Sequence, residues 1–298
     1  MENKTFVSGF AAVIGRPNVG KSTLMNKLIG QKIAIMSDKP QTTRNKIFGI
    51  LTQEDAQIIF IDTPGIHKPK HKLGEYLLKM AENTLKEVDL ILMVMDVTAE
   101  MGPGERYILD ALKNVKTPVI LVVNKIDQTA KTNILPVLEK YRSEFNFAAL
   151  VPVSALNGSN LENLTAEIKK HLPEGPKYYP DDTITDQPER LIIAELIREK
   201  AIHLTKEEVP HALLVDIEEI TERANKDLFI RAIIYVERDS QKGIVIGAKG
   251  TLLKEIGQKA RLDIESLFGS KVYLDLWVKV KKDWRNKESL LKNYGFTE

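Results

Sequence analysis

Five short runs of unbroken apolar residues mark the first half of the chain, at 10–15, 57–62, 90–96, 118–124 and 149–153. Their length and lack of alternation predict strands buried on both faces. Between them, 72–88, 104–113, 134–145 and 160–171 mix charged and apolar residues at helical spacing. Strands that alternate with helices predict an α/β domain over 1–173, a mostly parallel sheet with helices on both faces. In such a sheet ligands bind at the carboxyl ends of the strands, so function belongs in the turns that end these runs.

The pattern changes at Leu172-Pro173-Glu174-Gly175-Pro176 and Tyr178-Tyr179-Pro180-Asp181-Asp182, whose prolines and glycine suit neither element. A linker is expected over 174–187 and a second domain over 188–298. There a helix is predicted over 188–204, then two half-buried strands, 212–222 and 227–238, that alternate apolar and polar residues around a turn at Ala224-Asn225. Helical spacing returns over 248–267 and alternation over 271–281, with a short last helix over 283–291. A small α+β domain with a three-stranded sheet fits this order.

Composition narrows the chemistry. The 298 residues are 43% hydrophobic and 28% charged, ordinary values for a globular protein of two domains. Zero cysteines exclude a disulfide framework, a thiolate nucleophile and Cys-ligated zinc. No apolar run reaches the roughly 18 residues that cross a bilayer, and the first nine lack the apolar stretch of a signal peptide, so a cytoplasmic location is expected. The net charge of +2 does not by itself imply a nucleic-acid partner.

Gly15-Arg16-Pro17-Asn18-Val19-Gly20-Lys21-Ser22, followed by Thr23, matches G-x-x-x-x-G-K-[ST] after a strand and at the start of a helix. Such a loop closes backbone N–H groups around phosphates, brings Lys21 to the terminal phosphates and offers Ser22 to Mg²⁺. Asp62-Thr63-Pro64-Gly65 ends another apolar run, where Asp62 can hold the Mg²⁺ shell and the Gly65 N–H can meet a γ-phosphate. Asn124-Lys125-Ile126-Asp127 offers a carboxylate to the guanine N1–H and exocyclic amine, a donor pair that adenine lacks. Ser154-Ala155-Leu156 can supply a backbone N–H to the guanine oxygen.

Taken in this order, the motifs resemble the translation-factor-like branch of the P-loop GTPases over about residues 8–172. The resemblance implies a first switch at Gln41-Thr42-Thr43-Arg44, with Thr43 as the threonine that closes over Mg²⁺ and Thr42 as the alternative. Lys21, Thr43 and Gly65 are then the catalytic candidates, and Ser22, Thr43 and Asp62 the Mg²⁺ ligands. Ile66 stands where Ras-like enzymes carry the glutamine that orients water, and an isoleucine cannot do so. Asn18 matches the asparagine with which some relatives hold K⁺, so K⁺ is a candidate second ion.

In the second domain, Gly247-Ala248-Lys249-Gly250 matches the G-x-x-G loop that clamps a single-stranded nucleic-acid backbone. The element order is that of a type II KH domain, with Ile244, Ile246 and Leu253 as candidates to line a base groove. Lys242, Lys249, Lys254, Lys259 and Arg261 form a local basic patch near Glu255. Trp277 and Trp284, interleaved with Lys279, Lys281, Lys282, Arg285 and Lys287, read either as stacking platforms or as core facing solvent-exposed lysines. The whole chain resembles the bacterial Ras-like GTPases with a C-terminal KH domain. That resemblance implies a monomer that hydrolyses GTP to GDP slowly, binds the 3′ end of 16S ribosomal RNA, assists assembly of the 30S subunit and associates peripherally with the inner membrane. The competing readings are a metabolic P-loop enzyme, which would prefer ATP, and a GTPase adaptor whose second domain binds protein or membrane.

Overall fold

The computed structural model describes residues 5–37, 39, 42–66, 69, 71–294 and 296. Contacts divide the chain into two units, the first made of Met1–Ala34, Thr43–Pro69 and Gly74–Asp186 and the second of Ile35–Thr42, Lys70–Leu73 and Gln187–Glu298.

The first unit holds β1 (Val7–Ile14), α1 (Lys21–Ile29), β2 (Ile47–Thr52), β3 (Ala56–Asp62), α2 (Lys72–Thr84), β4 (Leu90–Asp96), α3 (Pro103–Leu112), β5 (Val119–Asn124), α4 (Ile134–Glu144), β6 (Ala149–Pro152) and α5 (Leu161–Lys170). The sheet runs β2-β3-β1-β4-β5-β6. Every pairing is parallel except β2 with β3. All seven residues of β3 and all six of β5 are buried, as strands covered on both faces must be. Parallel pairing brings the carboxyl ends of β1, β3, β4 and β5, namely Ile14, Asp62, Asp96 and Asn124, to one edge.

Strand β2 is an element that the apolar runs did not reveal. Its Gly49 interrupts the run, and a Cβ there would lie 2.2 Å from Ile29 Cδ1, so close packing of α1 requires the glycine.

The segment expected as a linker is packed against this sheet through residue 186. Gln57 is fully buried and needs partners; its Oε1 accepts from Tyr178 N at 2.7 Å and Tyr179 N at 3.0 Å, and its Nε2 donates to Tyr179 O at 2.9 Å. Ile50 N donates to Ile184 O at 2.9 Å, which covers part of the open edge of β2.

The second unit contains α6 (Glu189–Leu204), α7 (Val209–Ala212), β7 (Leu214–Glu222), β8 (Leu228–Val236), α8 (Asp239–Ile246), α9 (Thr251–Phe268), β9 (Val272–Val280) and α10 (Glu288–Asn293). Its sheet runs β7-β8-β9, with β8 antiparallel to β7 and parallel to β9. The α+β reading and the three strands hold. Helix α8 was not foreseen, because its sequence reads as an apolar run with Gly243 inside it. Gln241 Oε1 caps it by accepting from the backbone N–H groups of Glu237 at 2.9 Å and Arg238 at 3.1 Å. Trp284 is a core residue rather than a stacking platform: it is fully buried and its Nε1 donates to Ala212 O at 2.9 Å.

Candidate nucleotide-binding site and nucleic-acid interface

Between β1 and α1 the chain turns through Gly15 (φ +148°), Asn18 (φ +67°) and Gly20 (φ +97°). A Cβ on Gly15 would lie 2.3 Å from Val94 O, and one on Gly20 2.3 Å from Asn124 Nδ2. Sterics as well as backbone conformation therefore demand glycine at both ends of the loop. The N–H groups of the first turn of α1 face the loop interior, an arrangement suited to an anion.

Lys21, only 7% exposed, donates from Nζ to Gly15 O at 3.3 Å and Arg16 O at 2.9 Å. Burial draws its ammonium below the usual value, and Asp62 opposes this. Asp62 at the end of β3 is fully buried. Burial pushes its carboxyl up, against the pull of Lys21 and of hydrogen bonds from Ser22 and Thr43. Its Oδ2 accepts from Ser22 Oγ at 2.6 Å and Thr43 Oγ1 at 3.1 Å, and these two hydroxyls lie 3.3 Å apart. Asp62 Oδ1 is buried without a hydrogen-bond partner among the described residues. One carboxylate, with its Oδ1 orphaned, and two hydroxyls make an all-oxygen donor set that fits a hard cation such as Mg²⁺.

Thr43 therefore joins Ser22 and Asp62, whereas Thr42 turns its hydroxyl to Lys39 O at 2.6 Å. Gln41 lies outside the described residues. Thr63 and Pro64 are buried, and Thr63 Oγ1 donates to Val13 O at 3.0 Å. Gly65 approaches the loop so closely that a Cβ would be 3.0 Å from Pro17 N. Ile66, 1% exposed, gives its N–H to Gly15 O at 3.3 Å and belongs to the core. Its side chain is thus committed to packing.

Asn124 links three segments: Nδ2 donates to Val19 O at 2.8 Å, and Oδ1 accepts from Ala155 N at 2.9 Å. Of the backbone N–H groups that Ser154-Ala155-Leu156 offered to the guanine oxygen, that of Ala155 is engaged by this brace. Lys125, at φ +64°, donates to Asn18 O at 2.8 Å and pairs with Asp96 at 2.6 Å. Asp127 is exposed and held by Ser154 Oγ at 2.5 Å, with Leu156 beside it 68% exposed. Arg16 is tied to Glu105 at 2.8 Å. The bracing by Asn124 and the Lys125–Asp96 tether escaped the sequence reading, although the ends of β4 and β5 marked their location.

In the second unit Gly247 (φ +74°) ends α8 and Gly250 (φ +79°) begins α9, with Ala248 and exposed Lys249 between them. Beside the loop lies a groove of about 420 Å³ between α9 and β9, lined by Gly250, Leu253, Lys254, Arg261, Tyr273 and Leu276 among others. Of the apolar candidates Leu253 lines it. Ile244 is 51% exposed outside the lining, and Ile246 packs against the core. Lys259 pairs with Glu255 at 2.8 Å and Arg261 with Glu265 at 3.9 Å, while Lys242, Lys249 and Lys254 have no acidic partner among the described residues.

Residues 10–125 match the family model described as a 50S ribosome-binding GTPase, and 208–285 match that of the KH domain. A variant of Aquifex aeolicus Era bound to GDP and AlF4⁻ is 42% identical, with a TM-score of 0.94 over 98% of this chain and 100% of that one. Era in complex with MgGDPNP and nucleotides 1506–1542 of 16S ribosomal RNA is 43% identical, with a TM-score of 0.95 over the same shares. Matched in both domains and along nearly its whole length, the chain belongs to the Era family of GTPases, in which a KH domain follows the GTP-binding domain.

Proposed function

We propose that this GTPase is a GTP-gated RNA-binding factor that engages the 3′ end of 16S ribosomal RNA through its KH domain and serves 30S subunit assembly. The observation that carries this reading is the combination, in one chain, of the Ser22–Thr43–Asp62 triangle at a phosphate loop with an open groove beside Gly247–Gly250. The related complex with nucleotides 1506–1542 of that RNA supports the choice of ligand.

Ser22, Thr43 and Asp62 would hold Mg²⁺, which neutralises charge on the β- and γ-phosphates. Lys21 receives the terminal phosphates, and the Gly65 N–H marks the presence of the γ-phosphate. Asp127, positioned by Ser154, accepts the guanine N1–H and amine and discriminates against adenine. With Ile66 buried, no side chain at that position orients the attacking water, which accords with slow unaided turnover. Asn18, exposed at the apex of the loop, would hold K⁺ and add positive charge as hydrolysis proceeds; equal rates in K⁺ and Na⁺ would remove that role.

Lys249 and Lys254 would attract RNA phosphates while the glycines admit the backbone closely. No described helix is long and apolar enough to cross a membrane, so the membrane association that the resemblance implied would be peripheral. The adaptor reading differs in tolerating a damaged loop. The test is ultraviolet crosslinking of the GTP-bound protein to total cellular RNA, with Gly250→Asp as control. Gly250 has no atom within 4 Å of a built Cβ, so an aspartate side chain meets no clash as it sets a carboxylate against phosphate; its φ of +79° costs the variant backbone strain, which its unfolding midpoint measures alongside. Reads at the 16S 3′ terminus that vanish in the variant would establish the proposal; diffuse reads unchanged by it would sink it.

A further inference from the structure

Residue Tyr273 belongs to two surfaces. It contributes to the lining of the Gly250 groove, and its ring, on a residue 57% exposed, stacks on Phe229 with centroids 5.7 Å apart and planes at 15°. The groove therefore reaches β9, the edge strand, where the stacked rings begin the sheet face opposite α9. Four residues along the same strand and on the same face stands Trp277, 56% exposed, about 13 Å away at the rise of an extended chain. Aromatic rings this exposed are rarely left without a role when they cluster beside a binding groove.

The charges continue the same path. The Arg223 guanidinium lies 5.1 Å from the Phe229 centroid and 5.0 Å from that of Tyr273, and neither it nor the exposed Lys271 just before β9 has an acidic partner among the described residues. Farther along, Arg231 pairs with Asp275 at 2.9 Å and Glu219 at 3.7 Å, and Lys279 with Glu218 at 3.5 Å, so free positive charge is concentrated at the groove end of the rings.

We propose that Tyr273, Phe229 and Trp277, with Arg223, form a second RNA site: a stacking platform for bases of single-stranded RNA that leave the Gly247–Gly250 groove around the edge of β9. It rests on the KH reading and deepens it. A G-x-x-G loop clamps four nucleotides, and a longer strand must continue somewhere. Free cations next to flat, exposed rings favour nucleic acid over an apolar peptide. The two contributions separate physically: stacking is insensitive to salt, whereas a guanidinium on phosphate adds about one unit to the slope of log affinity against log salt.

The test measures fluorescence anisotropy with labelled RNA of about six nucleotides from the 16S 3′ terminus, and with the same probe extended by about six nucleotides at either end. Wild-type protein should bind one extended probe about 5- to 150-fold more tightly, the worth of one stacked base. Tyr273→Ala and Trp277→Ala should reduce that gain with the salt slope unchanged, Tyr273→Phe should keep it, and Arg223→Ala should lower the slope by about one. If Tyr273→Ala retains the full gain, or weakens the short and long probes equally, the platform is overturned and the rings are left to the groove or to a protein partner. If wild-type protein binds no probe at all, the KH reading itself fails.

Discussion

At the scale of single residues, Asn124 and Asp127 divide the work of one motif. Asn124 is 2% exposed and spends both ends of its amide on backbone groups of the loops on either side. Asn124→Ala should destabilise the nucleotide-free protein by about 2–4 kcal/mol, because Val19 O and the Ala155 N–H are left buried and unpaired. Urea denaturation without GTP measures this. Asp127 is exposed and bonded by Ser154 Oγ, so Asp127→Asn should leave stability within about 0.5 kcal/mol while cutting discrimination of GTP against ATP about 100-fold in competition binding. Lys21→Ala removes the buried ammonium proposed to receive the terminal phosphates and should weaken GTP binding by about 100-fold or more in calorimetry.

At the scale of elements, the Lys125–Asp96 pair fastens the phosphate loop to the ends of β4 and β5. Burial acts to raise the Asp96 carboxyl, yet hydrogen bonds from Lys125 and Thr98 outweigh it and hold the group below its ordinary value of 3.8. A depressed folded-state value means that the contribution to stability is complete above 3.8 and lost as pH falls through the folded value. The gap in unfolding free energy between wild-type protein and Asp96→Asn should therefore be widest near neutral pH and close below about pH 4, as denaturation curves across that range would register. The same scale explains two departures from the sequence pattern. Gly243 did not prevent α8, since the Gln241 cap and burial of Val245 support the helix. Alternation of Trp and Lys could not tell core from platform at Trp284, because the deciding partner, Ala212 O, is 72 residues away.

For the whole molecule, the segment proposed as the first switch is divided between the two units. Thr43 belongs to the first unit, while Ile35–Thr42 cluster with the second. Within that cluster Met36 N donates to Glu199 Oε1 at 2.9 Å, and Thr42 O accepts from Arg198. A nucleotide that pulls on Thr43, as proposed, would act through the adjoining Thr42 on a segment bonded to α6. Thr43→Ala should leave GDP affinity nearly intact but collapse the difference in RNA affinity between GTP and GDP states, read by anisotropy with each nucleotide. An undiminished difference would dissociate the switch from RNA binding.

The α/β and α+β domains, the phosphate loop and the Asp62, Asn124 and Gly247–Gly250 motifs were legible in the sequence. They are local: buried strands read as apolar runs, and glycines mark turns that other residues cannot make. The hydrogen bonds that join Thr43 to Ser22 and Asp62, the use of the Ala155 N–H by Asn124, the Lys125–Asp96 tether, the packing of Tyr178 and Tyr179 on Gln57 and the groove lined by Leu253 rather than Ile244 were decided only by the tertiary structure. Each depends on which partner, tens of residues away, reaches a polar group or covers an apolar one. Periodicity carries no record of such pairings, because it records only the face on which a residue lies.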